Sequence, residues 1–309
     1  MMAVVSLTAA LSYVAPMRRP VVQVAAALRR PLTQMSAGSG TFAERPPVQQ
    51  LTLGGASSEQ WSQVVEALAP FAKANRVERL NEVLSRRRGG LHLVLENVAD
   101  PYNVAAVLRT AEGLGIQNVH TIESMPHSTH RTGGKKSLSN VAMGASRWLT
   151  LTRYKSAELC YAALREHDLQ IVASDCPPCE GEEEGETVRP RGNEGHGGID
   201  ARPVGELDFG AARGGIALVF GNERRGVSKA AIEHADGSFF IPMSGLTQSF
   251  NISVAVAMSL YAVIASGRFP EGSLSDADRL ELMGKWLMRD VKAARPLLLK
   301  QAGIEFTDF

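Results

Sequence analysis

The sequence predicts an α/β protein with a mostly parallel sheet that is covered by helices on both faces. From residue 91 onwards, short segments that are apolar almost throughout alternate with longer stretches of helical periodicity. Strands buried on both faces have this composition, and their alternation with helices is typical of parallel sheets. Apolar residues make up 44% of the 309 residues, which is sufficient for a substantial core.

The predicted elements follow one another in a regular order. The predicted strands are residues 91–96, 118–122, 148–152, 169–174, 216–221 and 238–242. The helices expected between them are residues 103–114, 157–167, 229–234 and 251–266. Two further helices, at about 60–71 and 75–88, precede the sheet, and one at 276–300 follows it. The apolar run 254–265 is too short to span a bilayer, so we expect a buried helix and no membrane segment.

Composition divides the chain into a tail, a central domain and two extensions. Residues 1–50 are predicted to be a transit peptide or a disordered tail, because residues 1–43 contain arginines but no acidic residue. The predicted location is a plastid or a mitochondrion, and the alternative is a cytoplasmic protein. Residues 59–90 and 274–309 are expected to be helical extensions of an α/β domain at 91–270, in which the Gly- and Glu-rich residues 177–213 form a disordered insertion.

The net charge of +1 conceals an uneven distribution of charged residues. Residues 124–157 contain no Asp or Glu, whereas five of the seven residues 180–186 are Glu. A second basic segment, Arg86, Arg87 and Arg88, is followed by two glycines. This pattern is compatible with the end of a helix and equally with a phosphate contact.

Three cysteines, Cys160, Cys176 and Cys179, are too few for a disulfide framework and suit a reducing compartment. The last two form a Cys-Pro-Pro-Cys sequence, which could be a redox pair or half of a zinc site. No second pair of cysteines and no histidine cluster completes a zinc set in the sequence. We therefore expect loop cysteines and no metal.

Three segments place polar residues at the ends of predicted strands. Residues 96–110 read ENVADPYNVAAVLRT, and Arg109 lies opposite the apolar stripe of the helix that begins there. Residues 218–227 read LVFGNERRGV, and residues 240–255 read FIPMSGLTQSFNISVA. Taken singly, the three segments are compatible with a capped helix, a tight turn and ordinary helix capping. The chain contains neither GxxxxGK[ST] nor a GxGxxG after a strand, which argues against a P-loop enzyme and a nicotinamide-dependent oxidoreductase.

Together and in this order, the three segments resemble the motifs of the SpoU/TrmH branch of the SPOUT methyltransferases. The resemblance covers about residues 76–266 without the insertion, and it is greatest to the TrmH group, which methylates a guanosine ribose in the tRNA D-loop. It implies a sheet whose C-terminal part is threaded into a trefoil knot, a homodimer, and S-adenosylmethionine as the cofactor. The functional residues of the family fall here on Asn103, Arg109, Glu223, Ser249 and Asn251. The cofactor would contact the chain near Ser174, Gly221, Ile241, Met243 and Phe250.

The resemblance implies transfer of a methyl group to a ribose 2′-hydroxyl. Because a guanidinium remains protonated in proteins, Arg109 is expected to hold a phosphate and stabilise the developing alkoxide rather than to act as a base. RNA is expected to bind through phosphate contacts. The first candidate surface is formed by Arg131, Lys135 and Lys136, and the second by Arg86, Arg87 and Arg88. The alternatives are the same reaction on rRNA, or a non-catalytic RNA-binding or assembly factor with the same fold.

Overall fold

The computed structural model describes residues 48–123, 144–174, 201–209, 214–223, 226–247 and 249–308. The predicted tail up to residue 47, the basic residues Arg131, Lys135 and Lys136, and most of the predicted insertion with Cys176 and Cys179 lie outside these residues. Within the described ranges, no helix is both long and apolar enough to cross a membrane.

The described part of the chain contains nine strands and eight α-helices. The strands are β1 (Gln49–Leu51), β2 (Arg88–Glu96), β3 (Ile116–Ile122), β4 (Thr150–Tyr154), β5 (Leu169–Ser174), β6 (Ala201–Pro203), β7 (Gly215–Phe220), β8 (Gly237–Phe240) and β9 (Ile304–Phe306). The helices are α1 (Ser58–Leu68), α2 (Ala74–Leu84), α3 (Pro101–Gly113), α4 (Ala157–Glu166), α5 (Lys229–His234), α6 (Ile252–Ala265), α7 (Asp276–Asp290) and α8 (Ala294–Gln301).

Seven of the strands form one sheet in the order β4-β3-β2-β7-β5-β8-β6, and every neighbouring pair is parallel. The predicted parallel α/β fold is therefore confirmed. The strand order departs from the chain order because β7 lies between β2 and β5. Part of the connections between β5, β6 and β7 lies outside the described residues, so the trefoil knot stays a prediction.

The two faces of the sheet carry separate apolar cores, as the alternation of side chains along a strand requires. Leu93 of β2 packs with residues of α3 and α6 on one face. Val94, the next residue, packs with residues of α4 and α5 on the other face. Strands covered on both faces are apolar at successive positions, which explains why β2, β5 and β7 are so readily predicted from sequence.

A third apolar cluster joins the two ends of the described chain. Helices α1 and α2 pack against α7 and α8, with Trp61 and Trp286 almost fully buried between them. A β-carbon at Gly284 would lie 2.6 Å from Cε3 of Trp61, so the contact between α1 and α7 requires a glycine there. The parallel pair β1–β9 closes the same cluster, and the Phe306 ring stacks on Trp61 with a centroid distance of 5.3 Å.

Several predicted boundaries are wrong. Helix α2 ends at Leu84, and the arginine–glycine segment enters β2 instead of ending a helix. The predicted helix 276–300 is two helices, because the chain turns between α7 and α8. Part of the predicted disordered insertion, residues 201–206, forms β6 and a 3-10 turn at the edge of the sheet.

Candidate active site

The three polar segments meet at one edge of the sheet. They follow β2, β7 and β8, whose carboxyl ends lie on the same side of the sheet because all the strands are parallel. In open α/β sheets, ligands bind beyond the carboxyl ends of the strands. This topology places a candidate site at the loops after residues 96, 220 and 240.

Asn103 connects all three segments through its side-chain amide. Its Nδ2 donates to Oε1 of Glu223 at 2.9 Å, and its Oδ1 accepts from Nδ2 of Asn251 at 3.1 Å. Glu223 also accepts from the backbone N–H of Ala99 through Oε2, at 3.4 Å. Three of the five predicted catalytic residues are therefore brought together, although Glu223 and Asn251 lie 120 and 148 residues from Asn103 in the sequence.

Helix capping holds two of these residues in place. Asp100 caps α3 by accepting from the N–H of Tyr102 at 2.9 Å, and Pro101 occupies the first turn, so Asn103 follows at the start of the helix. Asn251 caps α6, because its Oδ1 accepts from the N–H of Ser253 at 2.9 Å. The Asn251 side chain thus caps a helix with its amide oxygen and donates to Asn103 with its amide nitrogen.

A tight loop presents Glu223. The backbones of Asn222 and Gly226 exchange two hydrogen bonds, of 2.9 and 2.8 Å, and Nδ2 of Asn222 donates to the carbonyl of Asn97 at 2.7 Å. A β-carbon at Gly221 would lie 2.1 Å from the backbone of Gly226, and Gly226 itself has a φ of +67°. Both glycines are thus required by the close approach and the backbone conformation of the loop.

Glu96, at the end of β2, holds the end of this loop. Sequence reasoning missed this residue. Its carboxyl group is buried, and Oε2 accepts from the N–H of Ser228 at 2.9 Å, where Ser228 is the N-cap of α5. The bond ties the end of β2 to the end of the Glu223 loop. The available signal in the sequence was an acidic residue that ends an otherwise apolar strand.

Arg109 and Ser249 lie in the same polar segments as the amide network. Arg109 is exposed on α3, about 9 Å farther along the helix axis than Asn103 at 1.5 Å per residue. Its predicted position opposite the apolar stripe is confirmed, because Val107 and Leu108 are buried. Ser249 is exposed two residues before the cap of α6.

The predicted cofactor-contacting residues surround the ends of three neighbouring strands. Ser174 ends β5 and is paired in register with Phe239 of β8. Gly221 follows β7 directly. The loop after β8 contributes half-buried Ile241 and Met243 and exposed Leu246 and Phe250. Apolar side chains beside strand ends and a glycine suit an adenosyl group, which needs an apolar surface and close approach to the backbone, so these residues fit S-adenosylmethionine.

The structure contradicts the predicted RNA contact for two of the three arginines. Arg87 is 0% exposed, pairs with Glu112 at 3.0 Å and lies over the Trp286 ring at 5.5 Å. Burial lowers the pKa of Arg87, against the opposing effect of Glu112.

Arg88 is 9% exposed and donates to the carbonyls of Leu114 and Phe269. Only Arg86 of the triplet is exposed, and it pairs with Glu82 at 2.8 Å.

Fold and site together define the class of the protein: a parallel α/β protein with a candidate ligand site in loops at the carboxyl edge of the sheet. Residues 90–261, more than half of the chain, match the SpoU rRNA Methylase family. The chain therefore belongs to that family of RNA methyltransferases. Within the described residues, no group of three or more His, Cys, Asp or Glu side chains could hold a metal ion.

Relatives with named activities support this assignment. The chain is 30% identical over 220 residues to the tRNA (guanosine(18)-2′-O)-methyltransferase of Thermus thermophilus, covering 69% of this chain and 96% of the relative. It is 28% identical over 210 residues to the 23S rRNA (guanosine-2′-O-)-methyltransferase RlmB of Haemophilus ducreyi, covering 68% and 73%. The crystal structure of the Aquifex aeolicus TrmH/SpoU tRNA modifying enzyme is similar with a TM-score of 0.53 at 25% identity, covering 70% of this chain and 97% of that one.

Proposed function

We propose that this protein transfers a methyl group from S-adenosylmethionine to the ribose 2′-hydroxyl of a guanosine in tRNA. The observation that carries the proposal is the hydrogen-bonded set Asn103–Glu223–Asn251, which assembles the three segments at the carboxyl edge of the sheet. The Thermus thermophilus relative, of which 96% is covered, carries the name of a tRNA guanosine 2′-O-methyltransferase. The predicted acceptor, a guanosine of the D-loop, agrees with that name.

The proposed cofactor supplies a methyl group that is already activated on a sulfonium. The protein has to align the ribose oxygen with that methyl group and to stabilise the oxygen as its proton leaves. Arg109 does the latter in this proposal, since its exposed guanidinium carries a permanent positive charge and offers several N–H donors. Asn103 and Asn251 hold the loops in register, and Glu223 anchors its own loop to α3.

We also propose that the protein is a homodimer, because α6 exposes apolar side chains on one side. Val254, Met258 and Tyr261 are 45%, 41% and 68% exposed, and their spacing of four and three residues places them on one stripe. A contiguous apolar stripe beside a site is typical of an interaction surface. The stripe begins three residues after the Asn251 cap, so a partner bound there would lie close to the site.

A second candidate substrate is rRNA, which is favoured by the similarity to RlmB of Haemophilus ducreyi. The fold, cofactor and chemistry would be the same, and only the RNA would differ. The third possibility, a non-catalytic RNA-binding factor, would retain the fold without needing the Asn103 network.

Methyl transfer by the full-length chain tests the proposal. The protein is incubated with labelled S-adenosylmethionine and either unmodified tRNA or unmodified rRNA, and the RNA is digested to nucleosides. We expect labelled 2′-O-methylguanosine from the tRNA D-loop. Label in rRNA alone would select the second substrate, and no label in either RNA would favour the non-catalytic factor.

The role of Arg109 is tested in the same assay. Arg109→Ala is expected to abolish methyl transfer while S-adenosylmethionine still binds, because the residue is exposed and faces away from the core. Arg202→Ala, which removes an exposed arginine from the edge strand β6, is the matched control. Full activity of the Arg109 variant would refute the proposed mechanism.

A further inference from the structure

A groove crosses the helical cluster on the outside of the protein. One wall is formed by the 3-10 turn after α1 and the start of α2, and the other by the turn between α7 and α8. Its volume is about 870 Å³, within the range of roughly 300–1,000 Å³ that is common for ligand sites. Phe71 and Lys73 line the first wall, and Asp290 and Lys292 line the second.

The charges of the groove favour an anion. Lys73, Arg76, Arg79 and Lys292 line it together with one carboxylate, Asp290, and Arg79 is itself paired with Glu82 at 2.6 Å outside the groove lining. The carboxylate is bound by Arg76, whose Nε lies 2.6 Å from Oδ2, and this hydrogen bond raises the pKa of Arg76. Lys73 and Lys292 are exposed on opposite walls. A polyanion that follows the groove would therefore meet a cation on each side.

An exposed aromatic ring lies in this cationic groove. Phe71 is 52% exposed, and the 3-10 turn that carries it, Ala69–Phe71, contains no buried residue. Core packing therefore does not account for an aromatic side chain at this position. Aromatic rings beside cations are how proteins bind unpaired nucleotides, because the base stacks on the ring and the phosphates contact the basic side chains.

We propose that this groove binds an unpaired nucleotide of the RNA substrate. The base stacks on Phe71, and the flanking phosphates contact Lys73 and Lys292. The groove is formed by the helical cluster and not by the loops at the carboxyl edge of the sheet, so it contributes to RNA selection and not to the chemical step. The inference rests on the proposed function, because that function supplies the RNA. An acidic peptide would satisfy the cations but would leave the Phe71 ring without a partner, which favours RNA.

Direct RNA binding by the full-length protein tests the groove. Fluorescence anisotropy with labelled, unmodified tRNA gives the dissociation constant at several salt concentrations. Phe71→Ala is expected to weaken binding about tenfold, because stacking of one base contributes on that scale. Phe71→Tyr keeps the ring and is expected to bind within about twofold of the unmodified protein. The double variant Lys73→Ala/Lys292→Ala is expected to weaken binding. The slope of log affinity against log salt concentration should become shallower by the equivalent of about one to two phosphate contacts.

Two controls separate the groove from folding and from catalysis. Lys300→Ala removes an exposed lysine of α8 outside the groove and is expected to leave the RNA affinity unchanged. All variants are expected to retain the affinity for S-adenosylmethionine and the thermal midpoint. KM for tRNA should rise, with kcat unchanged, only in Phe71→Ala and in the double lysine variant.

The outcomes distinguish this inference from the proposed function. If the unmodified protein methylates tRNA and Phe71→Ala binds tRNA equally well, the groove inference is overturned and the function stands. If Phe71→Ala weakens RNA binding but the unmodified protein methylates no RNA, the groove stands and the proposed function fails. If the double lysine variant retains its RNA affinity but loses binding of poly-glutamate, the groove binds acidic proteins and the inference is overturned.

Discussion

The side-chain amide of Asn251 donates to that of Asn103 over 3.1 Å, and Asn103 in turn donates to Glu223 over 2.9 Å. Asn103 therefore acts as acceptor and donor at once. An amide side chain can do both, whereas an ionised carboxylate of the same size only accepts. This dual role explains why an asparagine, and not an aspartate, is required where the three segments meet.

Asn103→Asp is consequently expected to disrupt the site. The new carboxylate would face Glu223 and could not donate to it, so the two loops would separate. We expect kcat/KM for methyl transfer to fall about 10- to 100-fold, roughly 1.4–2.7 kcal/mol of transition-state stabilisation. Gln301→Glu, which adds the same charge at an exposed position of α8, should leave kcat/KM unchanged. Equal activity of both variants would show that the amide of Asn103 has no role.

The adjacent residues Arg86 and Arg87 should differ sharply in their effect on stability. Arg87→Ala leaves a cavity below Trp286 and removes the partner of Glu112, so we expect a loss of about 3 kcal/mol of unfolding free energy. Arg86→Ala removes an exposed ion pair with Glu82 and should cost at most about 0.5 kcal/mol. Urea denaturation of both variants measures the difference. Similar midpoints would contradict the structural role of Arg87.

Arg87 also shows which features a single sequence cannot reveal. The strand β5 and the helix α5 begin and end at the predicted residues, because compact apolar runs and capping residues are local signals. The arginine–glycine segment has the local pattern of a helix end, but Arg87 is buried by Glu112 and Trp286, which are remote in the sequence. The short strands β1, β6 and β9 depend on distant partners in the same way.

The same distinction applies to the site. The resemblance of three segments to a known family points to Asn103, Glu223 and Asn251, and the structure brings these residues together. Glu96 is bound by the N–H of Ser228, 132 residues away, so the local pattern, an acidic residue at the end of a strand, does not reveal its partner. Contacts across the sheet decide such roles, and they become visible only in the folded chain.

Two buried histidines should make stability depend on pH. Nδ1 of His92 lies 3.0 Å from Nε2 of His120, whose ring stacks on Tyr154. Burial lowers the pKa of His92 to about 4 and that of His120 to about 3, from the usual 6.5. The unfolded chain therefore takes up protons below about pH 6.5 while the folded chain does not, so unfolding is favoured as the pH falls towards 4. Each histidine should contribute about 1.4 kcal/mol per pH unit.

Urea denaturation between pH 7 and pH 4.5 measures this dependence. His120→Gln removes one of the two protonation sites, so the loss of unfolding free energy per pH unit should decrease by about 1.4 kcal/mol. Tyr154→Phe retains both histidines and should keep the slope of the unmodified protein. An identical slope for His120→Gln would mean that His120 is protonated in the folded state.

Two glycines in helices should respond in opposite ways to alanine. Gly284→Ala in α7 forces a methyl group against the buried Trp61 ring, which should cost about 1–3 kcal/mol. Gly113→Ala in α3 meets nothing within 4 Å and should stabilise the helix by roughly 0.5–1 kcal/mol. Thermal denaturation of the two variants gives the sign of each effect. A stable Gly284 variant would mean that α1 moves away from α7 at little cost.

The apolar stripe of α6 gives the proposed dimer a direct test. Met258→Lys places a charge in the middle of the stripe, so the dimer dissociation constant should rise at least about tenfold, because burying an unpaired charge is costly. Leu159→Lys is the control, since Leu159 is 60% exposed on α4, on the opposite face of the sheet. Sedimentation equilibrium measures both constants. If the unmodified protein sediments as a monomer at micromolar concentration, the stripe is not a dimer interface. If Met258→Lys dissociates the dimer and also loses methyl transfer, the site depends on the second subunit.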